Sequence, residues 1–143
     1  MESSAIHFFK EGVRFRVPHA SRLPEWISRV IRKHKKHTGE INYIFCSDRY
    51  LLKLNREFLH HETFTDIITF PATEEKNVVS GDIYISVERV RQNAAVFKTT
   101  FRNELHRVMI HGVLHLTGYD DHSAAEKKKM RSLEDEALAS RNF

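Results

Sequence analysis

The chain has 143 residues, 41% hydrophobic and 29% charged, with only 5 Gly and 3 Pro. Length and balance predict a single soluble domain, 1–143, and exclude collagen-like and low-complexity chains. The net charge of +4 is unevenly spread: residues 1–37 hold nine Lys/Arg and three Asp/Glu (+6), and the rest hold fourteen and sixteen (−2). A basic first third can face a phosphate backbone. Arg29, Arg32, Lys33, Lys35 and Lys36 are equally well explained as the solvated face of one helix. No apolar run reaches the roughly 18 residues that span a bilayer, so no membrane association is expected. The first residues lack the order of a secretion signal. The single cysteine, Cys46, lies in an apolar run; a buried thiol and a cytoplasmic location are expected.

Ile6 and Phe8, then Val13, Phe15 and Val17, alternate with polar residues around Gly12 and predict two short strands. Pro24 suits the first turn of a helix. Trp26, Ile27, Val30 and Ile31 carry that helix on toward His37 and Gly39. Ile41, Tyr43 and Phe45 alternate as a strand. Asp48 is placed to cap a helix bearing Leu51, Leu52, Leu54, Phe58 and Leu59. Ile67–Phe70 is a strand stopped by Pro71, residues 72–80 are turn-like, and Ile83–Ile85 is a strand. A helix from about Ser86 to Lys98 follows. The next begins near Thr100, with Phe101, Leu105, Val108, Met109, Val113 and Leu116 as its apolar stripe and Gly118 as its left-handed end. Ser123 to Glu126 has the form of a capping box opening a last helix, with Met130, Leu133 and Ala137 inward. The expected class is α+β: a small mixed sheet of about four strands packed by about five helices, with a zincin-like metal helix.

The chemistry concentrates between His111 and His122. His111 and His115 stand four apart on the predicted helix, so both imidazoles leave one face. The helix is otherwise apolar there, and imidazoles in that setting need partners, which a metal supplies. Gly118 lies seven residues after His111, followed by Asp121 at ten and His122 at eleven. That resembles the extended zincin helix-turn spacing, whose third ligand is a histidine at ten. Asp121 and His122 both stand as candidates for the third ligand. Asp120 is a candidate to orient a ligand by hydrogen bonding to it. One zinc ion per chain is expected, another divalent ion being possible. Three protein ligands would leave a position for water, whose pKa a divalent ion brings to roughly 7. Asp66, Asp82 and Asp120 are candidate general bases by their place in sequence motifs only, and Asp66 and Asp82, each beside a strand, are equally explained as structural carboxylates. Position 112 is Gly, not the Glu that serves metalloproteases as a base, which argues against peptide hydrolysis. Gly112 would instead leave space beside the metal.

His111-Gly-Val-Leu-His115-Leu-Thr-Gly118-Tyr119-Asp120 resembles the signature of the YbeY endoribonuclease family. Thr65-Asp-Ile-Ile-Thr-Phe-Pro71, Leu54-Asn55 and Gly81-Asp-Ile-Tyr-Ile-Ser86 resemble three further segments of that family, in the same order. The resemblance implies a small sheet packed by helices and a zinc-like ion on three side chains. It also implies a metal-dependent, single-strand-specific endoribonuclease acting on ribosomal RNA of the small subunit, in 16S 3′-end maturation and ribosome quality control. The chain departs from the family pattern in two places. The third histidine falls at His122, with Asp121 where the family has it. Leu59 stands where the family has an arginine suited to phosphate. Arg56, His60 or His61 is a candidate substitute in substrate binding, and the two histidines are also explained as a solvated turn. Two other functions stay open on sequence: a non-enzymatic ribosome-assembly factor with a structural metal, and a metallohydrolase of another class.

Overall fold

A computed structural model describes residues 5–72 and 75–143. Its elements run β1 (Ile6–Glu11), α1 (Leu23–Lys33), β2 (His37–Cys46), α2 (Asp48–Leu59), β3 (Ile67–Pro71), β4 (Val78–Ser86), α3 (Val87–Val96), α4 (Phe101–Thr117) and α5 (Ala124–Ala139). The sheet order is β1-β2-β4-β3. β1, β2 and β4 are parallel, and β3 closes one edge antiparallel to β4. The architecture is the expected α+β mixed sheet with helices on both faces.

Alternation along the strands sorts the side chains between two cores. Ile41, Tyr43 and Phe45 of β2 and Val79, Ile83 and Ile85 of β4 point into the main core. There they meet Trp26, Ile27 and Ile31 of α1 and Leu105, Met109 and Val113 of α4, all buried. Cys46, Ile68, Phe70 and Tyr84 pack with Leu51 and Leu54 of α2 in a second cluster. Burial pushes the Cys46 thiol up to about 12, so it is an inert core group. Tyr43 Oη donates to the Met109 carbonyl at 2.9 Å, fixing the middle of α4 over the sheet. Among the described residues no helix is long and apolar enough to cross a membrane.

The structure differs from expectation at several boundaries. Residues 13–17 form no strand; their alternation reflects an extended segment whose Phe15 ring reaches Phe45 and Phe101 without joining a ladder. α1 stops at Lys33, because Lys35 takes a left-handed φ of 61° and the chain turns straight into β2. Ser47, not Asp48, caps α2, accepting from the Tyr50 N–H at 3.1 Å. The Asp48 carboxylate is held by Ser86 and Arg89 instead. Pro71 is the last residue of β3, tolerated because β3 is an edge strand. β4 starts at Val78, inside the stretch expected to be a turn, of which residues 73–74 lie outside the described residues.

Candidate metal centre

Thr100 opens α4 by accepting the Asn103 N–H, and Gly118 ends it at φ 113°, a conformation that suits glycine. The seventeen residues between are enough to carry His111 and His115 on one face over the end of the sheet. Gly112, between them, is buried against the sheet. A Cβ there would stand 2.9 Å from Ile67 and Ile83 side-chain carbons. Gly112 therefore lets α4 lie close on β3 and β4; it does not open space beside the metal position, as expected from sequence.

The two imidazoles face each other, His115 Nε2 lying 3.0 Å from His111 Nε2. Beyond Gly118 the chain folds back and brings the Asp121 carboxylate to both, at 3.4 Å from His111 Nε2 and 3.5 Å from His115 Nε2. Donor atoms of His111, His115 and Asp121 all lie within 4.8 Å of one another, and this is the only such group of three among the described residues. His122 is exposed and outside the group, though it lines the same cleft. Of the two candidates for third ligand, the turn thus presents Asp121.

His111 Nδ1 lies 2.6 Å from Glu134 Oε2, so the ring proton sits on Nδ1, donating to the carboxylate, and Nε2 is bare. The two Nε2 atoms and the Asp121 carboxylate converge on one point, where a ring proton or a bound cation can join them. Two nitrogens and an oxygen are a donor set that suits a borderline ion such as zinc. Glu134 is buried in α5, and its other oxygen accepts from Arg107 Nη1 at 2.9 Å. Arg107 Nη2 also donates to Asp135 at 2.7 Å. Burial pulls the His111 pKa down, but the Glu134 hydrogen bond and the charges of Glu134, Asp121 and Asp66 outweigh it, and the net shift is upward. Asp66 is also raised, above the ordinary carboxylate range, by its burial.

Asp120, expected to orient a ligand, is exposed and makes no hydrogen bond to either imidazole among the described contacts. Glu134 occupies that position against His111. Its sequence signal was available: a glutamate four residues after Met130, inside the apolar stripe of α5, needs a partner to be buried. Arg56, His60 and His61 are exposed at the end of α2 and beyond it. Arg56 lies 4.0 Å from Glu62, His60 takes a left-handed φ of 56° to end the helix, and the His61 N–H donates to the Asn55 carbonyl. None of the three lines the clefts at the metal group, whereas Leu59 does. Asp82 accepts from Asn42 Nδ2 at 3.0 Å, a contact within the sheet.

The family profile described as Endoribonuclease YbeY matches residues 11–142. The chain belongs to the YbeY endoribonuclease family. An endoribonuclease YbeY from Cytophaga hutchinsonii is 46% identical over 143 residues, covering all of both chains. One from Flavobacterium psychrophilum is 50% identical over 130 residues, which is 91% of this chain and 92% of that one. A protein from Thermotoga maritima solved in solution superposes with a TM-score of 0.63 at 31% identity, covering 94% of this chain and 89% of the other. The four sequence segments that resembled this family therefore lie in a chain related to it along nearly its whole length.

Proposed function

We propose that this chain, residues 1–143 acting as one YbeY-like domain, is a metal-dependent, single-strand-specific endoribonuclease. The observation that carries this is the convergence of His111, His115 and Asp121 donor atoms in an open groove, in a member of this family. His111 and His115 would hold one zinc ion per chain with Asp121 as third ligand, and His122 lies just outside them. A divalent ion held there supplies charge to polarise a phosphoryl oxygen and to lower the pKa of water to roughly 7. The protein's own part is positioning. Glu134 fixes the tautomer and orientation of His111, and Arg107 in turn fixes Glu134. The turn after Gly118 delivers Asp121 to the Nε2 of His111, whose Nδ1 Glu134 holds. Asp66 stands at the junction of two clefts that meet at His111. Its raised pKa makes it the candidate proton carrier in the groove. Arg56, His60 and His61 would touch RNA only beyond these clefts. The natural substrate in this proposal is ribosomal RNA of the small subunit, cut in 16S 3′-end maturation in the cytoplasm.

The test is cleavage by the zinc-loaded protein of labelled single-stranded RNA, duplex RNA of the same sequence, and casein. Cleavage of the single strand alone, abolished by chelation and restored by zinc, is expected. Casein hydrolysis, or RNA cleavage untouched by chelation, would overturn the proposal.

A further inference from the structure

The two clefts share His111, Asp121 and Asp66 but differ in everything else that matters to a polyanion. The cleft along β3, about 450 Å³, has no Lys or Arg in its lining. The other, about 330 Å³, runs between the end of α3 and the first turns of α5, and Arg107, Lys127, Arg131 and Phe97 line it. Arg107 is committed to Glu134 and Asp135. Lys127 and Arg131 are exposed, and among the described residues their side chains make no hydrogen bond or ion pair. They are four residues apart on α5, so both heads project from one face. Phe97, at the C-terminal cap of α3, leaves 57% of its surface in water at the wall of this charged cleft.

The carboxylates on this side do not cancel those two cations. Glu134 is buried and already matched by Arg107 and His111. Glu104 is buried, and burial raises its pKa; Arg107 and Arg131 act on it through space, but among the described residues neither Lys127 nor Arg131 forms an ion pair with it. Asp66 and Asp121 belong equally to both clefts. What distinguishes this one is two unpaired cations at the rim and a bare aromatic face beside them. Single-stranded RNA matches both features: its phosphates take cations, and its unpaired bases stack on aromatic rings. A duplex keeps its bases on each other and cannot use the ring.

We propose that the cleft between α3 and α5 is the subsite for the nucleotide next to the scissile phosphate, with its base on Phe97 and its phosphate held by Lys127 and Arg131. The subsite rests on the ribonuclease function proposed above. It places on the α5 side the phosphate-binding charge that Leu59 does not provide on the β3 side.

The experiment compares zinc-loaded wild type, Phe97→Ala, Phe97→Trp, and the double variant Lys127→Ala/Arg131→Ala. KM and kcat are read on a labelled single-stranded RNA, and affinity is read by anisotropy on its 2′-O-methyl counterpart, checked to stay intact. Phe97→Ala is expected to weaken binding about tenfold, and Phe97→Trp to keep it. The double variant should lower the slope of log affinity against log salt by about 0.7 for each cation removed. KM should rise much more than kcat falls. All these residues are exposed, so melting temperatures should stay near wild type. Wild-type affinity and salt slope in Phe97→Ala and in the double variant, with RNA still cleaved, would overturn the subsite while leaving the nuclease standing. A wild type that cleaves no RNA would remove both.

Discussion

Two of the three histidines on helix α4, His106 and His111, stand five residues apart, and the fold gives them opposite surroundings. His106 is fully buried among Trp26, His19 and Phe143, with Arg141 and Arg102 as its charged neighbours. Burial, then those two cations and His19, push its pKa down to about 3. His111 faces Glu134, Asp121 and Asp66, and its pKa rises in spite of burial. Burial alone therefore marks neither residue as functional. The charge set against each ring separates them: at His106 burial dominates and the cations add to it, keeping a neutral core group, whereas at His111 the carboxylates outweigh burial and prepare it for a cation.

Removal of a ligand breaks the His111 side of the contrast most completely. His111→Ala and His115→Ala are each expected to lose most of their zinc by elemental analysis, and Asp121→Ala to follow them. His122→Ala should keep one ion per chain. If His122→Ala loses the metal and Asp121→Ala keeps it, the turn rearranges on binding, and the third ligand is the histidine.

Loss of the orienting carboxylate is the next largest effect. Glu134→Gln keeps the shape of the side chain but takes away the charge that holds the proton on His111 Nδ1. Loss of such a partner typically costs 10–100-fold in metal affinity (about 1.4–2.7 kcal/mol). Titration against a zinc-binding dye should find that loss, while Arg107 keeps Asp135 as a partner and the chain stays folded. An unchanged affinity would mean that Glu134 serves only the packing of α5 on α4.

The same contrast explains what was legible in the sequence. The His111/His115 spacing, the Gly118 stop and the capping box at Ser123 are local patterns of a few residues, and each stands in the structure where the spacing put it. The inner-facing positions of β2 and β4 were legible for the same reason, since alternation is local. Glu134 and Arg107 were missed because their meaning depends on α5 lying against α4, more than twenty residues away in the chain. Gly112 was misread because what it faces, Ile67 and Ile83, comes from two strands distant in the chain, β3 and β4. Val13–Val17 showed an alternation that packing alone produces, without a partner strand. Asp121 against His122 turned on the course of a three-residue turn after a left-handed glycine, which spacing cannot resolve.

His106 offers the smallest effect and the sharpest control. Arg141 Nη1 lies 2.8 Å from His106 Nδ1, so Nδ1 accepts and the ring proton sits on Nε2, which has no hydrogen-bond partner among the described residues. The folded pKa is depressed below the ordinary value of 6.5, so the unfolded chain takes up the proton first. The stability tied to a neutral His106 is complete above pH 6.5 and is lost as pH falls from there toward 3. The loss approaches about 1.4 kcal/mol for each pH unit below 6.5. His106→Gln keeps an acceptor for Arg141 and removes the titration. Urea unfolding of the two metal-free proteins at pH 7 and pH 5 isolates this one group, because every other carboxylate and histidine is common to both. Wild type should lose more stability than His106→Gln over that interval, by about 2 kcal/mol at most. Equal losses would mean that His106 is protonated in the folded protein despite Arg141, and that the cations around it do not set its charge.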